Sequence, residues 1–61
     1  MNKWTKVPYQ VVYQSNDGEV QGHFDCEAAS VPGAMSQVRK MMSDQHGLMS
    51  GEFRVTEVYR I

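Results

Sequence analysis

His23 and Asp25 stand two residues apart in a segment, Glu19 to Ala28, whose apolar and polar residues alternate, so on an extended chain their side chains point the same way. An imidazole beside a carboxylate is the start of an acid/base pair or a metal site, but a closed zinc-type site takes about four donors. Cys26 points to the opposite face of that segment and His46 lies beyond a following helix, so neither completes the set. Asp25 and Glu27 flank Cys26, and negative neighbours disfavour the thiolate that a nucleophile needs. The chain has no glycine-rich phosphate loop, nucleophile elbow or helical His-Glu zinc motif. The residues therefore predict no catalytic centre, no metal and no cofactor, and a chain that is not an enzyme.

Recognition is the chemistry that remains. The alternation places Glu19, His23, Asp25 and Glu27 in an acidic ridge, and the last segment, Phe53 to Ile61, adds Arg54, Glu57, Tyr59 and Arg60. These eight residues form the expected protein-binding set. A competing set is basic: Lys3, Lys6, Arg54 and Arg60, with Trp4 available to stack on a base, would make a small nucleic-acid-binding module. Against it, six Lys and Arg are offset by seven Asp and Glu for a net charge of −1, so a strong affinity driven by counterion release from phosphates is not expected. The same charges on a sheet face also keep a half-buried strand soluble without binding anything.

The elements that position these residues read clearly. Residues 1–7 form a flexible arm, with Trp4 either packed over the end of the core or exposed as an anchor. The first strand runs from Tyr9 to Gln14, with Tyr9, Val11 and Tyr13 on one face and Gln10, Val12 and Gln14 on the other. Ser15-Asn16-Asp17-Gly18 supplies a hairpin turn in which Gly18 takes the left-handed conformation. Glu19 to Ala28 is the second strand, with Val20, Phe24, Cys26 and Ala28 apolar and Gly22 either at a bulge or making room for Tyr13.

Ser30 caps a helix that Gly47 ends, with Pro32 in the first turn and Leu48 placed to close a Schellman contact. Val31, Ala34, Met35, Val38 and Met42 form its apolar stripe and Met41 lies at the border, while His46 caps the negative helix end. Phe53 to Ile61 is the last strand, whose phase slips unless a bulge near Thr56-Glu57 turns Val58 inward. The predicted fold is α+β, in the order β-β-α-β. It has a three-stranded antiparallel sheet of order 2-1-3 with the helix on one face, and the competing arrangement pairs the last strand parallel to the second.

Sixty-one residues make one domain, near the lower size limit for an unstapled core and too small to hollow out for a large cleft. A single cysteine and the lack of a leader-like start predict a reduced, cytoplasmic protein. No apolar run approaches the roughly 20 residues of a membrane-spanning helix. A homodimer that pairs outer strands or buries Met41 and Leu48 is the alternative to a monomer.

The run Cys-Glu-Ala-Ala-Ser-Val-Pro-Gly-Ala-Met at 26–35, followed by Gly-Glu-Phe-Arg-Val-Thr-Glu-Val-Tyr at 51–59, resembles the small phage-encoded host-takeover proteins, in particular the podovirus inhibitors of bacterial RNA polymerase. The matching positions are Ala28, Ser30, Ala34, Phe53, Val55, Thr56 and Val58, most of them structural. In layout the chain is also similar to small anti-CRISPR proteins. The resemblance implies a stoichiometric binder that inhibits a bacterial protein in the host cytoplasm. Where the polymerase inhibitors present arginines on the last strand, this chain has Glu57 and Tyr59, so the target does not carry over with the fold.

Overall fold

The structure, a computed structural model, describes residues 5–61, so the roles expected of Lys3 and Trp4 lie outside the described residues. Three strands, β1 (Val7–Ser15), β2 (Gln21–Ala28) and β3 (Phe53–Arg60), form one antiparallel sheet, with the helix α1 (Val31–His46) between β2 and β3 in sequence. The strand order is β2-β1-β3, as expected, and the helix covers one face, lying over β2 and β1 more than over β3.

The core follows from the two periods meeting. Tyr9 and Val11 of β1, Ala28 of β2 and Phe53 of β3 point toward Ala34, Val38, Met41 and Met42 of α1, and all eight are buried. The buried stripe is rotated from the expected one: Met41 is inside, whereas Val31 is 44 % exposed and Met35 half-buried. The helix axis lies toward the β2 side of the sheet, which draws Met41 inward against Phe24. In the first turn Gly33, not Val31, approaches Ala28.

Two further expectations, both about strand starts, are corrected. The first strand begins at Val7, not Tyr9, so Val7 belongs to the sheet and not to the expected arm: Val7 pairs with Ala28 and Pro8 with Glu27. Pro8 is tolerated because its carbonyl, accepting from the Ile61 N–H at 3.0 Å, faces the end of β3, where a missing donor has little ladder to break. The second strand begins at Gln21, not Glu19. Ser15 and Asp17 side chains take the Val20 and Glu19 N–H groups that would otherwise extend the ladder.

The helix end also differs in detail. Ser30 caps the start with its Oγ accepting from the Gly33 N–H, and Gly47 ends the helix at φ 66°. The closing bonds run from the Gly47 N–H to the Ser43 carbonyl and from the Leu48 N–H to the Met42 carbonyl, a nested pair in which each bond reaches one residue further back than in the Schellman motif. His46 does not do the capping; its ring lies tilted, 6.3 Å from that of Tyr13. Tyr13 in turn crosses over Gly22, where an added Cβ would come within 3.2 Å of the phenol oxygen, so this glycine makes room for the ring.

Candidate functional site

The face of the sheet turned away from α1 is built by strand alternation and by one bulge. On β1 the residues pointing to it are Pro8, Gln10, Val12 and Gln14, and the register aligns their neighbours in rows. Asp25, Gln10 and Tyr59 make one row; His23, Val12 and Glu57 the next; Gln21, Gln14 and Arg54 the third. The register shifts between Val12 and Tyr13, where β3 carries the extra residue Thr56. This is the bulge expected from the sequence, and it has the expected effect: Val58 packs against the core, while Glu57 and Tyr59 come to the open face. Thr56 Oγ1 donates to the Val12 carbonyl at 3.3 Å across the irregularity.

Six of the eight residues expected to bind a partner thus share this face: His23, Asp25, Glu27, Arg54, Glu57 and Tyr59. Glu19 sits in the hairpin loop, off the strand. Arg60 pairs with Tyr9 and so has the parity of the helix side, at the far end of β3. A shallow trough of ≈ 390 Å³ crosses the middle of the face, its walls including Gln10, Val12, His23 and Thr56.

His23 and Asp25 do lie side by side, with Nδ1 3.4 Å from Oδ1, and Gln10 Nε2 approaches the same nitrogen at 3.5 Å. The two contacts are alternatives, since Nδ1 accepts from Gln10 only when it carries no proton and pairs with Asp25 when it does. Both acid and imidazole are about 60 % exposed, 60 % for His23 and 59 % for Asp25, so the pair contributes little to stability. Among the described residues no group of three or more His, Cys, Asp or Glu converges as metal ligands would. Cys26 faces the helix side, half-buried, and burial first, then the charge of Asp25, raises its thiol above the ordinary value, away from thiolate chemistry.

Among the described residues the basic set is not gathered at one place. Arg54 and Arg60 lie at opposite ends of β3, about 20 Å apart for six residues of strand, and have opposite parity. Lys6 precedes β1 at the Arg60 end. Among the described residues no helix is long and apolar enough to cross a membrane.

Two residues important to the face were not singled out by the sequence. Val12 is the one apolar side chain at its centre, and its position between two glutamines on an otherwise polar strand face was the available signal. Gln37, which reaches from α1 to the Glu27 carbonyl at 2.7 Å, gave none, because its role depends on where the helix lies. Comparison of the chain with protein families, with curated proteins and with solved structures returns no match.

Proposed function

We propose that the chain is a non-enzymatic binding protein whose open sheet face docks on a bacterial protein and inhibits it, in the manner of the phage host-takeover proteins that its sequence resembles, acting in the host cytoplasm. The observation that supports this is the open face itself. Val12 stands at its centre, Tyr59 and Arg54 flank it, and a polar rim surrounds it, the anatomy of a protein-docking patch rather than a substrate cleft. Three carboxylates, Asp25, Glu27 and Glu57, stand there against one guanidinium, Arg54, so the complementary partner surface is basic.

Affinity capture from bacterial lysate with the tagged chain, followed by mass spectrometry, gives the partner. Asp25→Lys with Glu57→Lys is expected to weaken that capture at least tenfold with the fold intact, and the partner's activity is expected to fall in proportion to added native chain up to one equivalent. Unchanged capture by the reversed variant overturns the site. Retention of random-sequence oligonucleotides at low salt, lost as salt rises, would favour the nucleic-acid reading instead.

A further inference from the structure

The outer edge of β2 carries one backbone group that is already bonded, and that bond locates the others. Gln37 Nε2 reaches the Glu27 carbonyl from α1, so this carbonyl points away from β1. Along a strand the N–H and C=O of alternate residues face the same side, so those of His23 and Asp25 also face outward. The register agrees: the ladder bond from the Ser15 N–H to the Val20 carbonyl at 2.7 Å continues through the residues paired with Tyr13, Val11 and Tyr9, which are Gly22, Phe24 and Cys26. In the order β2-β1-β3 the outer side of β2 has no strand partner among the described residues.

Beside this edge runs a groove of ≈ 390 Å³ with Phe24 and Met41 as its apolar floor and Gln37, Lys40, Asp44 and Gln45 along its rim. On the other side of the edge His23, Asp25 and Glu27 are exposed.

We propose that this edge and groove accept an extended segment of a partner protein as a fourth strand, its apolar side chains entering the groove and its basic side chains lying beside Asp25 and Glu27. The inference rests on the protein-binding reading and names the chemistry of the partner segment. Side chains of an added strand alternate, so those opposite Phe24 and Cys26 fall on the helix side and those opposite His23, Asp25 and Glu27 fall on the open face. The segment recognised is therefore alternately apolar and basic. Gln37 sets its limit: with the Glu27 carbonyl taken, pairing runs along His23 and Asp25 and leaves the edge before Ala28. A second copy is a poor occupant. Two β2 edges would bring carboxylates together, and the bulge at Thr56 interrupts the regular edge that β3 would offer.

The probe is a fluorescein-labelled, capped peptide of seven alternating lysines and leucines, titrated against the full chain by fluorescence anisotropy. A peptide of the same composition with its lysines and leucines in blocks is expected to bind at least tenfold more weakly. Methylating every second amide nitrogen is expected to abolish binding in one phase and spare it in the other. His23→Pro removes only an outward N–H, so the fold is expected to persist while binding falls at least tenfold; Asp25→Lys with Glu27→Lys, both exposed, is expected to do the same. Equal binding of the block peptide, indifference to both methylation phases, or occupation of this edge by a second copy in sedimentation and amide-shift mapping would overturn the proposal. A partner captured from lysate that His23→Pro retains and Glu57→Lys loses overturns strand addition and leaves the open-face reading standing. A peptide bound in the expected phase, with lysate capture indifferent to Asp25 and Glu57 reversal, keeps strand addition and removes the open-face reading.

Discussion

Ser15 shows how much one small polar side chain organises. It is 3 % exposed, and its hydroxyl donates to Asp17 Oδ1 at 2.6 Å while accepting from the Val20 N–H at 2.9 Å. Asp17 Oδ1 also takes the Glu19 N–H at 3.0 Å. These bonds, the Ser15 hydroxyl first and the Glu19 amide second, hold the Asp17 carboxyl below its ordinary value. A carboxylate depressed in the folded state stabilises above its unfolded value and loses that contribution as pH falls through the folded one. Asp17→Asn is therefore expected to lower the thermal midpoint at neutral pH, with the gap from the native chain closing as pH drops below about 3.9, the usual unfolded aspartate value. Calorimetry of both chains from pH 7 downward measures it; a gap constant with pH would remove the carboxylate from the turn's stability. The sequence showed the turn residues Ser15 to Gly18 plainly. It did not show that Ser15 and Asp17 would take over the amides of Glu19 and Val20, and so Glu19 read as strand when it is loop.

Among the elements, α1 was the most legible because both of its ends are written in residue types. Ser30 and Gly47 need only local backbone geometry to act, and both act as read. The cost of replacing Gly47 is purely conformational, since an added Cβ there meets nothing within 4 Å while φ is +66°. Gly47→Ala is expected to destabilise by about 1–2 kcal/mol in urea titration. Gly51→Ala, equally free of neighbours and without a positive φ, serves as the control and is expected to change little. Less legible was the rotation of the helix about its axis, which decided that Met41 is buried and Val31 is not. Periodicity gives a stripe about 100° wide, and only the lateral position of the helix over β2 and β1 chooses its centre.

For the whole molecule, size governs what the core tolerates. At about 0.05–0.15 kcal/mol per residue a 61-residue chain has roughly 3–9 kcal/mol in hand. Met42 is fully buried between helix and sheet, and Met42→Ala is expected to cost about 2–5 kcal/mol, enough to leave much of the population unfolded in far-UV circular dichroism at 37 °C. The fold class, strand order and antiparallel pairing were readable because alternation, one helical period and turn residues all pointed to the same arrangement. The open face was readable only in part, since six of its charged and aromatic residues lie where alternation places them once the bulge is included. That bulge makes Thr56 the one position of β3 that could be lost without turning any later side chain over. Losing this single residue would remove the bulge and leave Val55 opposite Tyr13 and Glu57 opposite Val12 in an unbroken ladder, so Glu57 and Tyr59 would stay on the open face and Val58 on the helix side. An in-frame deletion of that one codon would cost the sheet its local twist and the Thr56 bond to the Val12 carbonyl, yet leave every charged and aromatic residue of the open face in place.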